Sequence, residues 1–415
     1  MDVAVFIAIA LCLAMNFAGY LYALFLMQLV RPIPALPEAL SMDDADLPHM
    51  HVIIATHNEA KDIEAKLENT AALAYPRDKL TVIIADGGST DGTPDLAETW
   101  ADQRMERDET AIDVRVMRLE AIGKVRQINA ALMMVPQADN PMADFVVITD
   151  ADAQITTEDA LLTTAGLLKG LPGPTLIGGW TEPPSDPTDL AGQMELMFWQ
   201  KMNRQRHMET ESFSASIVVA PFYAFPRLYF RGWPVDCVAD DVNISLQFRD
   251  RGGRIVYTPR IRVIETRQPA SLKQMVAHKL RKTNAYAMEV LRYSYRLPFL
   301  GLRDRVLLAF KFFQFFIMPV ATIAFGVWSL YFLATAQFLL LGAIYGTLLI
   351  LVAVASVLAS RSPVEEVKVQ PARRRLVLSM GIFVLMLWVL IANMLLYPFW
   401  QQNARYERVG EAVGA

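Results

Sequence analysis

Phe145-Val146-Val147-Ile148-Thr149-Asp150-Ala151-Asp152 is the stretch on which the fold turns. An apolar run, Phe145–Ile148, ends in two carboxylates two positions apart. Short apolar runs of this kind suit buried strands, and in open α/β sheets ligands gather at the carboxyl ends of the strands. If the strand continues, alternation puts Asp150 and Asp152 on one side, close enough to share a divalent ion. Such hard oxygen ligands, completed by phosphate oxygens, suit Mg²⁺ or Mn²⁺. The plain alternative is a turn carrying two solvated aspartates.

Three more apolar runs precede it: His51–Ala55, Leu80–Ala85 and Val114–Leu119. Helical stretches separate them, which predicts a mostly parallel sheet covered on both faces. The first run ends in Thr56-His57-Asn58-Glu59 and the second in Asp86-Gly87-Gly88-Ser89-Thr90-Asp91-Gly92-Thr93. Glycines such as Gly88 let the backbone approach a ligand, and Asp86 can accept from a nucleobase or ribose donor. The same residues also make a tight strand-to-helix turn, with Ser89 and Asp91 capping and Thr93 starting the helix. His57 alone is more often structural. Gly123-Lys124 opens a helix that carries Asn129 further along. Lys124 there can meet a phosphate together with the helix dipole, or simply face solvent. Further on, Gly232-Trp233-Pro234 precedes Ala239-Asp240-Asp241, which enters an amphipathic helix. The two acids either complement the helix dipole or supply a general base for an acceptor hydroxyl.

The chain has 415 residues, 53% hydrophobic and 20% charged. The apolar excess lies in four nearly uncharged segments, which excludes a wholly soluble enzyme and a disordered chain. Two cysteines, Cys12 in an apolar run and Cys237 elsewhere, make no disulfide framework. With 39 Lys+Arg against 43 Asp+Glu, no basic excess points to nucleic acid. The expected organisation is a transmembrane helix over 1–30, a linker over 31–50 and an α/β domain over 51–265. Amphipathic interfacial helices follow over 266–300, then spans at 306–333, 338–360 and 376–400, a basic loop over 361–375 and a tail over 401–415. In 271–296, Leu272, Met275, Val276, Leu280, Ala287 and Leu291 form the apolar face, and Lys273, Lys279, Arg281, Lys282, Arg292 and Arg296 supply charge. Segment 192–211 is a second, weaker case. Lys311, near Arg303 and Arg305, is expected to snorkel to the interface. Five basic residues in 361–375 and the uncharged loop 334–337 put the α/β domain on the cytoplasmic side and both termini outside.

Taken in order, Asn58-Glu59, Asp86…Gly88-Ser89-Thr90-Asp91-Gly92-Thr93, Gly123-Lys124…Asn129, Asp150-Ala151-Asp152 and Ala239-Asp240-Asp241 resemble the motif series of membrane-bound family 2 glycosyltransferases with a GT-A core. The likeness covers roughly 51–285, and the flanking spans resemble those of cellulose and hyaluronan synthases and of ceramide glucosyltransferases. It implies a GT-A, Rossmann-like mixed α/β sheet domain joined to transmembrane α-helices. It implies that Asn58, Glu59, Asp86, Gly88, Lys124 and Asp150 bind the donor, that Asp152 holds the metal, and that Asp241 is the catalytic base beside Asp240. Gly87 stands where many relatives have a second aspartate, and Ala239-Asp240 replaces Thr-Glu. The family's last motif, Gln-x-x-Arg-Trp, aligns with His278-Lys279-Leu280-Arg281-Lys282, which keeps Arg281 for the diphosphate but has no tryptophan. That tryptophan often accompanies processive synthesis. His278 and Trp233 are acceptor-side candidates, and Trp180 and Trp199 join Trp233 as candidate pocket residues.

The expected activity is inverting, metal-dependent transfer of a sugar from a nucleotide-sugar, with a UDP-sugar favoured. The expected acceptor is a membrane lipid or lipid-linked molecule at the cytoplasmic face of the inner (plasma) membrane. A processive polysaccharide synthase and an inactive membrane scaffold are the alternatives. The four acids Asp86, Asp150, Asp152 and Asp241 speak against the scaffold.

Overall fold

The computed structural model describes residues 2–14, 19–20, 23–24, 35–43, 46–107, 112–120, 123–184, 189–359 and 372–396. In chain order its main elements are α1 (Asp2–Ala14), β1 (His49–Thr56), α2 (Ile63–Ala71), β2 (Leu80–Asp86), α3 (Thr93–Arg107), β3 (Asp113–Arg118), α4 (Lys124–Met134), β4 (Asp144–Asp150), β5 (Ala153–Ile155), α5 (Ala160–Gly170), β6 (Thr175–Glu182), α6 (Leu190–Ser212), β7 (Tyr223–Pro226), α7 (Asp240–Asp250), β8 (Arg254–Glu265), α8 (Leu272–Tyr293), α9 (Leu302–Phe312), α10 (Met318–Ala334), α11 (Phe338–Ala359) and α12 (Ala372–Leu396). They divide into a sheet unit, Pro34–Thr188 with Ser214–Gln268, and a helical unit, Met1–Ile33 with Asp189–Phe213 and Pro269–Ala415.

The sheet unit is built on one eight-stranded sheet in the order β3-β2-β1-β4-β7-β6-β8-β5. The four strands expected from the apolar runs are adjacent and mutually parallel. Every residue of β2 is buried, as a parallel strand covered on both faces requires. Val52, Ile54, Val82 and Ile84 join Ile63 and Leu67 of α2 and Ala97 of α3 in the main core. The alternating Ile53 and Ile83 are equally buried and face the other side, where α4 packs on β1 and β2. The second half of the sheet is mixed: β7 is antiparallel to β4 and β6, β6 is parallel to β8, and β8 is antiparallel to β5. The register sets Thr56 beside Asp86 and Ala55 beside Asp150, so three chemistry-bearing strand ends stand level.

In the helical unit, α9, a five-residue π segment (Phe313–Ile317) and α10 run on as one apolar helix, Leu302–Ala334, of 33 residues. Pro319 lacks an N–H and stands two residues past the wide turn, in the first turn of α10, where the lost hydrogen bond is tolerated. Among the described residues this is the one helix long and apolar enough to cross a membrane; Val3–Ala14, Phe338–Leu351 and Gly381–Leu396 are shorter apolar helices. Most of the basic loop, 361–371, and the tail 401–415 lie outside the described residues.

Two charges of this unit expected at the membrane interface are buried within the protein. Lys279 of α8 is 2% exposed, pairs with Glu195 of α6 at 2.7 Å and lies 3.6 Å from the Phe198 ring centroid. A long amphipathic side chain packed against a carboxylate and an aromatic face satisfies its charge without solvent. Lys311 is likewise buried, 5.7 Å from the Tyr286 ring centroid and 5.8 Å from that of Phe310. Conversely, Leu272 and Leu291, assigned to the apolar face of α8, are exposed, while Met275, Leu280 and Ala287 are buried. Cys12 and Cys237 are free thiols.

Candidate active site

The loops after β1 and β2 interlock. Asp86 is buried at the end of β2. Its carboxylate accepts from the Gly88 and Ser89 amides at 3.1 and 2.9 Å, from Thr56 Oγ1 at 3.1 Å, and from the Ser89 hydroxyl. Gly88 has φ +77°, a conformation that an L side chain resists. Asn58, also at positive φ, accepts from the Thr90 amide at 2.8 Å, and its own amide donates to Ser89 Oγ at 2.7 Å. The Glu59 amide donates to Thr93 Oγ1 at 2.7 Å, and Asp91 accepts from the Thr93 amide at 3.1 Å. His57 Nδ1 meets the Gly87 carbonyl at 3.1 Å. Asp86 and Asn58 therefore shape the loop pair through their own oxygens.

Asp150 closes β4, and Asp152 follows in the turn to β5. Burial, with the charges of Asp150 and Glu265, pushes the Asp152 carboxyl up to about 7. Behind the turn, the buried Lys66 of α2 donates to Thr149 Oγ1 at 2.7 Å and to the Ala153 carbonyl at 2.5 Å. Burial lowers the Lys66 ammonium to about 7 against the upward pull of Asp150 and Asp152. Arg267, just past β8, pairs with Glu59 and with Asp62 (2.5 Å), and its Nε lies 3.8 Å from Asp152. Its pKa is raised: burial would lower it, and the Glu59, Asp62 and Asp152 carboxylates more than offset that.

Lys124, at the start of α4, ties this strand end to α7. Its ammonium lies 2.7 Å from Asp150 and 3.3 Å from Asp240. Burial would lower its pKa, and Asp150, Asp240 and Asp241 together raise it. The Tyr223 hydroxyl donates to Asp240 at 2.7 Å, and burial with the same three carboxylates keeps it protonated well above its usual range. Asp241, in the first turn of α7, is half-buried, and one of its oxygens accepts from the Val242 amide at 2.8 Å. Trp233 is a support: it is buried, its indole donates to the Asp240 carbonyl at 2.8 Å, and Asn129 holds its amide and carbonyl at 2.9 Å each. Trp180 is buried on β6, its indole on Glu182 at 2.7 Å.

Trp199, His278 and Arg281 belong to the helical unit. His278 is buried on α8 and its Nδ1 has no hydrogen-bond partner. Burial and the neighbouring Lys282, Lys279 and Arg281 hold its imidazole well below the ordinary range, hence neutral.

Among the described residues no three His, Cys, Asp or Glu side chains converge as a complete metal shell. Asp150 and Asp152 offer oxygen donors, and Asp152 carries more like-charge repulsion than Arg267 relieves. Oxygen donors with unbalanced negative charge, completed by ligand phosphates and water, fit a hard divalent cation.

Residues 51–232 match the family model described as Glycosyl transferase family 2. This stretch is a family 2 glycosyltransferase domain. The chain is 38% identical over 55 residues to Glycosyltransferase AglE of Haloferax volcanii, which is 13% of this chain and 18% of that one; the match thus spans about a fifth of the curated relative. Among solved structures it resembles the mannosyltransferase PcManGT of Pyrobaculum calidifontis, solved with GDP-Man and Mn²⁺, at TM-score 0.67 and 22% identity over 97% of this chain and 100% of that one. Residues 1–349 of S. aureus TarS, solved with UDP-GlcNAc, align at TM-score 0.42 and 15% identity over 88% of this chain and 99% of that one. The likeness to PcManGT is one of fold, and that fold is GT-A.

Within the sheet unit no sequence pattern marked Arg267, Tyr223 or Gln127 as parts of the site. Gln127 of α4 donates to the Thr56 and Ala85 carbonyls at 2.6 and 2.9 Å, and a Cβ at Gly87 would stand 2.7 Å from its Nε2. The glutamine thus fills the space that a side chain at 87 would need, which accounts for glycine where relatives carry aspartate. For Lys66 a signal existed: Ile63, Lys66, Leu67 and Thr70 share one buried face of α2, and a lysine on such a face asks for internal partners.

Proposed function

We propose that the chain transfers a glycosyl group from a nucleoside-diphosphate sugar to the hydroxyl of a lipid or lipid-linked acceptor at the cytoplasmic membrane face, with inversion. The observation that carries this reading is Lys124 bridging Asp150 and Asp240, which gathers acids some 90 positions apart around one ammonium. Asp241 takes the proton of the incoming hydroxyl as its oxygen bonds to the anomeric carbon and the bond to the diphosphate breaks. One base and one displacement invert that carbon. Lys124 stabilises the charge that develops on the leaving diphosphate. Asp150 and Asp152 are the residues that would hold Mg²⁺ or Mn²⁺, whose chemistry there is neutralisation of phosphate charge. Asp86, Asn58, Glu59 and Gly88 shape the nucleoside end, and Arg281, the arginine kept from the family's last motif, serves the diphosphate.

A membrane acceptor is supported by the apolar helix Leu302–Ala334. The orientation rests on the basic segment 361–375, with both termini outside. The absence of the terminal tryptophan supports single addition. The deciding experiment incubates purified protein and native lipid extract with labelled UDP- and GDP-sugars, GDP-mannose included because PcManGT was solved with it. One lipid product carrying one added sugar is expected. A ladder of long oligomers overturns single addition, and no transfer from any donor overturns the reading.

A further inference from the structure

Lys66 is a charge sealed inside the sheet unit, 1% exposed, and its two hydrogen-bond partners are neutral oxygens. A buried ammonium is costly, so its retention needs a reason beyond packing. The partners bracket one short stretch. Thr149 immediately precedes Asp150, and Ala153 immediately follows Asp152. The Thr149 hydroxyl also donates to the Pro221 carbonyl at 2.7 Å, which fixes the position where Lys66 meets it. One turn along α2, the Asn69 side chain takes both the amide and the carbonyl of Ile155 at 2.8 Å each. Residues three apart lie on one helix face, so α2 grips the β4–β5 turn at both of its flanks and again beyond it. Lys66 sets the distance between the flanks, and Asn69 anchors only the far strand.

We propose that Lys66 is a positioning residue: its buried ammonium fastens both flanks of the Asp150–Asp152 turn and holds the two carboxylates convergent for a divalent cation. The inference rests on the reading of Asp150 and Asp152 as cation ligands, and its test is built to separate the two.

Full-length protein in detergent is titrated with Mn²⁺ alone, with free Mn²⁺ read by electron paramagnetic resonance and melting temperature recorded for each variant. Asp152→Asn tests the ligand reading and is expected to lose binding. Lys66→Met is expected to weaken Mn²⁺ binding about 10-fold, the scale of losing a supporting partner of a metal ligand. Asn69→Ala, compared at matched loss of melting temperature, is expected to weaken it less than about 2-fold, because a general loosening of the hairpin is not the cause. Lys66→Arg, which keeps a charged donor, is expected to recover part of the affinity that Lys66→Met loses. If Lys66→Met yields no folded protein, Lys66→Gln carries the same comparison. Wild-type affinity in the Lys66 variant overturns the proposal, as does an equal loss in Asn69→Ala at equal melting temperature. Binding indifferent to Asp152→Asn overturns the ligand reading and this proposal with it.

Discussion

The Lys124 ammonium lies 2.7 Å from the carboxylate of Asp150, the last residue of β4. This contact joins the amino end of one helix to the carboxyl end of a strand, and through Asp240 to a second helix. Replacing Lys124 by Met leaves both acids without their cation. The expected result is a fall in kcat/KM of about 100-fold, the scale of losing one fixed charge aimed at a developing anion. Stability is expected to fall by about 3 kcal/mol, since the buried Asp240 carboxylate is left without its ammonium. Steady-state kinetics beside thermal melting check both halves, and unchanged kinetics would remove Lys124 from the chemistry.

Asp240 and Asp241 are adjacent in sequence but differ in surroundings. Asp240 is buried against Lys124 and Tyr223; Asp241 is half-buried. As the proposed base, Asp241 would act on the acceptor alone. Asp241→Asn is therefore expected to lower kcat by about 1,000-fold while nucleotide binding, measured by calorimetry, stays as in the wild type. Asp240→Asn disturbs Lys124 and is expected to weaken nucleotide binding as well. If both variants shifted binding equally, the division of labour between them would be wrong.

What was legible in the sequence follows from local pattern. The parallel strands β1, β2 and β4 show as apolar runs because burial on both faces demands them, the edge strand β3 shows only through its alternating Val114 and Val116, and the strand ends show because polar residues and glycines cluster there. Strands β5 to β8 were not legible. β5 has only three residues and β7 four, too few for a period to register. Arg267 follows the last strand in an unpatterned stretch, and only the fold brings it to Glu59 and Asp62. Lys279 was misassigned for a related reason. Its partner Glu195 lies on a different helix, 84 positions away, and periodicity within α8 carries no record of it.

Gly87 and Gln127 make a coupled pair. A methyl at 87 would collide with a glutamine amide already committed to two carbonyls. Gly87→Ala is expected to cost about 1–2 kcal/mol, from overpacking or from a broken buried hydrogen bond. Gln127→Ala alone frees the two carbonyls and is expected to cost a similar amount. In the double variant the collision is gone, so the combined loss should fall short of the sum by at least about 0.5 kcal/mol. Chemical denaturation of the four proteins measures the coupling, and strict additivity would refute it.

Removal of the divalent cation offers a direct check on the acid cluster. Chelation is expected to abolish transfer, with Mg²⁺ or Mn²⁺ restoring it and Asp152→Asn beyond rescue by either. Full activity in excess chelator would leave the Asp150–Asp152 pair without its proposed purpose.

At the opposite end of the strands, the His51 ring stacks on His49 with centroids 4.5 Å apart, and its Nε2 donates to Asp144 at 2.9 Å. Its Nδ1 is buried with no partner, so a second ring proton would have nowhere to bond. Burial is the main cause that lowers the His51 pKa from its ordinary 6.5; Asp144 opposes it and His49 adds to it. Burial lowers His49 too, against the pull of Asp144. A histidine whose folded pKa lies below the unfolded value binds fewer protons when folded, so stability is full above 6.5 and declines as pH falls from there. Each such proton changes stability by at most about 1.4 kcal/mol per pH unit. Melting temperature should therefore drop between pH 7 and pH 5, and His51→Gln should flatten that slope while lowering the value at pH 8 through the weakened bond to Asp144. A variant with the wild-type slope would show that the acid sensitivity arises elsewhere.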